Sequence, residues 1–417
     1  MKILGKYSMG IGDRFGREGV TQLKAIMEAG RHGIEITPVW NKSDREHVFT
    51  GTHPADVRNE ADSSTRGTGF TGQYFVDADH IRNDTVERFL EISDYFTIDI
   101  ASYIGKKADD RAIKNFLEQC RKYTGGLHIP GIDEPFLITE EGLSLIAGRY
   151  LLSSIMAGEI YRKIEKAKGA GNFITEISMD EVSQPQSPDE LFFMLKMISD
   201  ERIPLQTIAP KFPGRFNKGV DFEGDTGKFA LDFEETVMVI DQAVKEFGLP
   251  ANLKVSLHSG SDKFSVYPHI GRLIRKFDRG IHVKTAGTTW LEEVIGLALS
   301  GGTALDFVRE IYLEALDKIE ELCAPYAGVI SVDRSSLPAG DEVRQWDKNM
   351  FADSIRHIPG NRRYNPVMRQ LMHVAYKLAA MRKDEFLRLL DKNEESVSQC
   401  VYKNIYDRHL CRIFDIR

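Results

Sequence analysis

Short apolar runs that end in polar residues recur along this chain, and segments with helical periodicity follow most of them. Eight runs have the length and apolar content of buried strands: 6–12, 34–40, 74–78, 95–101, 172–179, 205–209, 253–258 and 281–284. Helical patterns fall between most of them, for example at 18–28, 85–92, 111–122, 188–199, 234–247 and 290–299. Strands joined by helical crossovers run parallel, so eight βα repeats predict an α/β fold, a (β/α)8 TIM barrel.

An open, doubly wound sheet is the competing architecture. Its dinucleotide-binding form has a Gly-x-Gly-x-x-Gly turn after the first strand, and this chain has none there. Three regions interrupt the βα rhythm: 41–71, 211–228 and 301–417. In a barrel enzyme the first two are loop insertions at the reaction face. We therefore predict a catalytic barrel domain at 1–300 and a helical C-terminal extension at 301–417, packed on the barrel, which shapes the site or forms a homo-oligomer interface.

Composition excludes several classes of protein. With 42% apolar and 28% charged residues over 417 positions, the chain is typical of a soluble globular protein, and no run has the unbroken apolar length of a membrane span. The N-terminus lacks a secretory pattern, which predicts a cytoplasmic protein. A net charge of -7 without a basic stripe argues against nucleic acid as a partner. The four cysteines lie far apart, as reduced thiols do.

Side chains that bind metals or move protons gather where the predicted strands end. They are Asp77, Asp79 and His80 on the third strand, Glu176, Asp180 and Glu181 on the fifth, Gln206 and Lys211 on the sixth, His258 on the seventh, and His282 and Lys284 on the eighth. The carboxyl ends of barrel strands meet at one face, so these groups are expected to converge. Three histidines from three strands suit a divalent metal, and His80, His258 and His282 are the predicted ligands.

Two of these positions have an ordinary structural alternative. A single histidine such as His258 is more often a hydrogen-bonded structural residue than a ligand. Glu176 is equally well explained as a buried acid that pairs with Lys254 or Lys284 inside the barrel.

The adjacent pair Asp79-His80 carries the most specific local arrangement. One residue of such a pair can bind a metal while the other accepts a proton from a substrate hydroxyl. Together with the turn His258-Ser-Gly-Ser261, the pair resembles the site of class II, metal-dependent aldolases, in which an Asp precedes a zinc-binding His and a later His precedes a Gly-Ser turn. His282 as the third ligand is a departure from those aldolases.

Longer strings resemble the tagaturonate epimerase family over most of the first three hundred residues. They are Gly10-Ile-Gly-Asp-Arg14, Asn41-Lys-Ser-Asp-Arg-Glu-His47, Asp77-Ala-Asp-His80, Ile177-Ser-Met-Asp-Glu181, Gln206-Thr-Ile-Ala-Pro-Lys-Phe212, His258-Ser-Gly-Ser-Asp-Lys-Phe264 and His282-Val-Lys-Thr-Ala-Gly-Thr288. The resemblance implies interconversion of D-tagaturonate and D-fructuronate with a divalent metal. Related sequences act on the neutral ketohexoses tagatose and fructose, so the resemblance leaves both substrate classes open.

The two ketouronates differ at a hydroxyl-bearing carbon β to the ketone, whose hydrogen the carbonyl does not acidify. A retro-aldol route inverts that carbon: a base takes the hydroxyl proton, the carbon–carbon bond breaks, the aldehyde presents its other face, and the bond re-forms. The charge that develops on the ketone fragment calls for a Lewis acid. Imidazole ligands suit zinc, iron, nickel or cobalt, with manganese as a further candidate.

This chemistry assigns a role to each candidate. Asp79 is the proton acceptor and Glu181 the complementary acid, with Asp180 as the alternative to Glu181. Lys211, Arg215, Lys284 and the amides of turn 286–288 are candidates for the substrate carboxylate, since basic side chains and helix N-termini favour anions. The segment that holds Asn41, Lys42, Asp44 and Arg45 is expected to bind substrate hydroxyls or to form a lid.

Two other functions compete with an epimerase. A class II aldolase would release its fragments and would carry a clear phosphate pocket, for which only the turn after the eighth strand qualifies. A non-catalytic sugar-binding barrel would hold a structural metal, but structural sites usually use four protein ligands, whereas three histidines leave one position open.

Overall fold

The computed structural model describes residues 1–416. Eight parallel strands close into a barrel in the order β1-β10-β9-β8-β7-β4-β3-β2. The barrel strands are β1 Tyr7–Ile11, β2 Ile36–Ser43, β3 Phe75–Ile81, β4 Tyr95–Asp99, β7 Ile174–Ser178, β8 Thr207–Ala209, β9 Lys254–Leu257 and β10 Ile281–Lys284; a separate antiparallel hairpin pairs β5 Gly125–Leu127 with β6 Phe136–Ile138. All eight predicted strands are present, and the predicted (β/α)8 barrel is confirmed.

Helices surround the barrel and continue beyond it. Those up to the last barrel helix are α1 Gly19–Arg31, α2 Asp44–Thr50, α3 Pro54–Thr68, α4 Asp110–Cys120, α5 Glu140–Lys168, α6 Pro188–Asp200, α7 Thr226–Phe247, α8 Tyr267–Lys276 and α9 Thr289–Ser300. The remainder contains helices joined by loops and 3₁₀ turns: α10 Gly302–Asp317, α11 Ile319–Cys323, α12 Gly340–Val343, α13 Lys348–Ile355, α14 Pro366–Val374, α15 Tyr376–Met381, α16 Lys383–Lys392, α17 Glu394–Lys403, a π-helix Asn404–Leu410 and α18 Cys411–Phe414.

Two segments differ from their predicted form. The polar stretch 41–71 extends β2 and then forms α2 and α3 instead of a loop, because the Ser43 and Glu46 side chains form a capping box at the start of α2. The predicted helix 85–92 is only a 3₁₀ turn, Val86–Phe89. The short crossover from β3 to β4 leaves no room for a longer helix.

Helix α5 is long and apolar enough, by length and composition, to cross a membrane. Its apolar stretch is not unbroken, because Arg149 and Glu159 lie within the helix. In the protein, 56% of its most apolar stretch is buried, as in a helix of a protein core.

The C-terminal helices pack on α9 and share a hydrophobic core with it. Trp290 of α9 lies against Phe386 of α16, with ring centroids 5.3 Å apart. Gly296 permits α17 to approach closely, because a Cβ at this position would lie 2.5 Å from the Cα of Val397. The division into domains 1–300 and 301–417 stays a prediction, and residue 417 lies outside the described residues.

Candidate active site

The carboxyl ends of β3, β7 and β9 bring two histidines and a carboxylate together. His80 Nε2 lies 3.3 Å from Asp180 Oδ1, and His258 Nδ1 lies 3.2 Å from the same oxygen. One ligand atom of each residue falls within 4.8 Å of the others. Two imidazole nitrogens and one carboxylate oxygen form a donor set that zinc, iron and similar divalent metals accept, with positions left open for a substrate. The group therefore fits a divalent cation.

A local irregularity in β3 aims its last residues into this group. The pairing of β3 with β4 shifts register between Ala78 and Ile81, and His80 adopts a positive φ of 52°. Such bulges redirect side chains at the rims of barrels. The consequence is that Asp79 and His80, although adjacent, both face the barrel mouth.

Each histidine is oriented by a second carboxylate on its other nitrogen. Asp79 Oδ1 lies 2.9 Å from His80 Nδ1, and Glu176 Oε1 lies 2.7 Å from His258 Nε2. This carboxylate–histidine arrangement fixes the ring and the tautomer of metal-binding histidines. Burial alone would lower the pKa of His80, but Asp79 and Asp180 raise it well above its usual range.

Lys284 neutralises the acids below the group. Its Nζ lies 2.9 Å from Asp77 Oδ2, 2.7 Å from Asp79 Oδ1 and 3.0 Å from Glu176 Oε1. Burial raises the pKa of Asp77 to about 7 despite the lysine. Burial would also raise the pKa of Asp79, but His80 and Lys284 hold it well below its usual range, so Asp79 is ionised. Glu176 is buried and pairs with Lys284, as the predicted alternative describes, and it also contacts His258.

A cavity opens above these residues, and its empty volume, counted out to the open solvent at its mouth, is about 780 Å³. It is lined by Arg14, Asn41, Ser43, Arg45, Glu46, Asp79, His80, Asp180, Glu181, Lys218, Gly219, His258, Ser259, Ser261, Lys284, turn 286–288, Tyr326 and His373. Tyr326 and His373 come from the C-terminal helical region, which thus closes one side of the cavity. His373 is buried, and burial together with Arg14 lowers its pKa well below the usual range.

His282, predicted as a ligand, does not join the histidine–aspartate group. It lies two residues before Lys284 on β10 and therefore points into the barrel interior. Its Nδ1 lies 2.9 Å from Ser8 Oγ, and its ring is tilted by 35° against that of Tyr95, with centroids 5.5 Å apart. Burial lowers the pKa of His282 to about 3, so its ring is neutral. Asp180 occupies the third place in the group.

The other predicted residues fall into different positions. Asn41, Arg45 and Glu181 line the cavity, and Arg45 Nη2 lies 3.8 Å from Glu181 Oε1. Lys42 and Asp44 do not line it: the Lys42 ammonium donates to the Arg14 carbonyl at 2.6 Å, and Asp44 pairs with Arg88.

Lys211 and Arg215 line a second cavity of about 1350 Å³ that adjoins the first at Asp180, His258 and Ser259. The Lys211 ammonium donates to the carbonyl of Val182. Arg215 is exposed and lies 3.8 Å from Glu223.

Several cavity residues had not been predicted as site residues. Arg14 ends the string Gly10-Ile-Gly-Asp-Arg14, which resembles the epimerase family, so this string could have identified Arg14 as a site residue. Lys218 lies in the long loop 211–228, which was expected at the reaction face. Tyr326 and His373 gave no local signal, because only the packing of the C-terminal helices brings them to the barrel mouth.

Comparisons with known proteins agree with this geometry. A family model described as tagaturonate epimerase matches residues 2–413. A tagaturonate/fructuronate epimerase of Thermotoga maritima is 29% identical over 418 residues, which cover 97% of this chain and 80% of that protein. Glycerol-bound and native crystal structures of fructuronate-tagaturonate epimerase from Cohnella laeviribosi have TM-scores of 0.81 and 0.80 at 24% identity, and each match covers 100% of this chain and 83% of theirs. Because the family model spans nearly the whole sequence, this chain belongs to the tagaturonate epimerase family.

Proposed function

We propose that this protein interconverts D-tagaturonate and D-fructuronate by retro-aldol and aldol chemistry with a divalent cation held by His80, Asp180 and His258. The observation that carries the proposal is the convergence of these three side chains beside the ionised Asp79, at the floor of the cavity. The arrangement is aldolase-like in that the proton acceptor directly precedes a ligand in the sequence. When bound, the cation would stabilise the negative charge that develops on the ketone fragment.

Asp79 is the proposed acceptor of the substrate hydroxyl proton. Its carboxylate borders the cavity, and the Lys284 ammonium at 2.7 Å keeps it ionised and oriented. Loss of that hydroxyl proton lets the adjacent carbon–carbon bond break to an aldehyde. Glu181, which also lines the cavity, is the proposed group that returns a proton when the bond re-forms.

An epimerase must keep the aldehyde fragment until its other face is presented, whereas an aldolase releases it. The C-terminal region supports the first outcome, because Tyr326 and His373 wall one side of the cavity at the barrel mouth. An added wall of this kind helps to retain a reactive fragment and limits its contact with water. We therefore favour epimerisation over fragment release. The proposed partner is a small sugar acid, without nucleic acid or membrane, and the proposed location is the cytoplasm.

The test is to incubate metal-supplemented protein with D-tagaturonate and follow D-fructuronate. A chelated sample and the variant His258→Ala should lose turnover, while His128→Ala, which alters an exposed histidine outside the cavity, should keep it. A chelated protein that remains folded by circular dichroism but is inactive would distinguish a catalytic from a structural cation. Turnover that survives in the chelated sample, or no turnover with any divalent metal, would contradict the proposal.

A further inference from the structure

One wall of the cavity is rich in cations that the proposed reaction does not use. The guanidinium of Arg45 lies 4.8 Å from the centre of the Tyr326 ring, and the ammonium of Lys218 lies 5.8 Å from it. Lys377, beside the same ring at 5.0 Å, adds a third positive charge. These cations surround one aromatic ring at the edge of a partly desolvated cavity, where they create a positive potential.

Two of the four arginines and lysines that line the cavity have a close carboxylate partner. Arg14 Nε lies 3.1 Å from Glu46 Oε1, and Lys284 is held by the acids of the barrel floor. Within residues 1–416, the ammonium of Lys218 has neither an ion pair nor a hydrogen bond. The carboxylate nearest to Arg45, that of Glu181, is 3.8 Å away, and the buried Arg45 Nε has no hydrogen-bond partner. Two cations thus remain available to an anion in the cavity.

The backbone that carries Lys218 is fixed by the C-terminal region. The amide of Lys218 donates to the carbonyl of Val329 at 2.8 Å, and the carbonyl of Gly219 accepts from Arg369 Nε at 2.5 Å. A side chain on a fixed backbone loses less conformational entropy when it binds a ligand. Lys211 and Arg215 differ from Lys218. The Lys211 ammonium donates to the Val182 carbonyl, and Arg215 is exposed beside Glu223.

We propose that Lys218 and Arg45 bind the carboxylate of the sugar acid and so determine the preference for a uronate over a neutral ketohexose. The inference rests on the proposed function in one respect, that the sugar occupies this cavity. A guanidinium can bind a carboxylate through two parallel hydrogen bonds, and an ammonium adds a point charge. A ketohexose has a hydroxymethyl group in place of the carboxylate and gains little from either cation.

The kinetic test compares D-tagaturonate with D-tagatose. Lys218→Gln and Arg45→Gln are each expected to raise KM for D-tagaturonate at least about tenfold, the effect of losing one charged hydrogen bond. Each should change kcat/KM for D-tagatose less than about twofold. Lys218→Arg, which keeps the charge, should restore most of the loss. Lys166→Gln, which removes an exposed lysine from the barrel-side helix α5, serves as the control for net charge.

Calorimetric titration of both sugars makes the inference independent of turnover. If the wild type binds D-tagaturonate without converting it, the proposed reaction is wrong, but weaker binding by Lys218→Gln still supports the carboxylate contact. The inference is overturned if Lys218→Gln weakens both sugars equally, if it weakens neither, or if the wild type binds neither sugar. Thermal melting of each variant separates lost binding from lost folding.

Discussion

The contacts of single side chains decide which residues of this barrel mouth can hold a cation. Asp180 Oδ1 accepts from Ser178 Oγ at 2.6 Å and faces both His80 and His258. His282 lies on a neighbouring strand, yet its nearest polar partner is Ser8, away from the group. Residue type predicted His282 as a ligand and Asp180 only as an alternative acid, but position along the chain determines that Asp180 faces the group and His282 does not.

This difference predicts how metal affinity responds to substitution. Asp180→Ala should weaken divalent-metal binding at least about tenfold, since even loss of a group that only orients a ligand has effects of this size. His282→Gln should leave the affinity within about threefold of the wild type, because its ring faces the barrel interior. Competition with a chromophoric chelator on metal-stripped protein measures both, with circular dichroism as the check on folding. The reverse order of effects would restore His282 as the ligand.

Glu18 predicts a pH dependence at a residue outside the site. Its carboxyl is buried next to Asp13, and burial followed by that charge raises its pKa to about 8 from an ordinary 4.5. Between these values the folded state binds more protons at Glu18 than the unfolded state, so this group makes stability fall as pH rises. Glu18→Gln stays neutral and should lose less stability than the wild type between pH 5 and pH 8.

Urea unfolding at both pH values measures this effect. Glu395→Gln, at an exposed carboxylate, is the matched control and should follow the wild type. An equal loss of stability in Glu18→Gln and the wild type would show that Glu18 does not contribute to the pH dependence.

Contacts between helices predict the effect of adding a single methyl group. Gly296→Ala should destabilise the protein by about 1–3 kcal/mol, because its Cβ would overlap the backbone of α17 at Val397. Gly148→Ala, within α5, meets no atom within 4 Å and should be neutral or stabilising by up to about 1 kcal/mol. Urea denaturation compares the two. Equal changes in the free energy of unfolding would mean that α17 can move away from α9 without loss of stability.

The same elements explain what periodicity predicts and what it misses. All eight strands were predictable, because barrel strands are short apolar runs between turn residues. Helices α2 and α3 were missed, since they are polar and start from local signals rather than from an apolar stripe: the Ser43 cap in α2 and Pro54 at the first helical position of α3. The segment 85–92 has a helical pattern, but the crossover that contains it permits only a turn.

At the scale of the whole molecule, the geometry of a parallel barrel explains the part of the site that was predicted. Strand ends meet at one face, so His80 and His258 could be placed together from the sequence although they lie far apart in it.

 The positions of Tyr326 and His373 depend instead on how the C-terminal helices dock, and docking is determined by complementary packing surfaces that no local pattern reveals.

The shared core of barrel and C-terminal helices predicts that the two parts unfold together. Trp40 is fully buried in the barrel, Trp346 is buried in the C-terminal region, and Trp290 joins the two through α9. In variants that retain only Trp40 or only Trp346, the urea midpoint followed by fluorescence should coincide with the midpoint of far-ultraviolet circular dichroism of the same variant. Each variant serves as its own control, because substitution of the other tryptophans shifts both signals equally. A Trp346 transition at lower urea than the circular dichroism midpoint would contradict the prediction. It would mean that the C-terminal helices detach from a barrel that remains folded, and that the cavity wall formed by Tyr326 and His373 opens independently of the barrel.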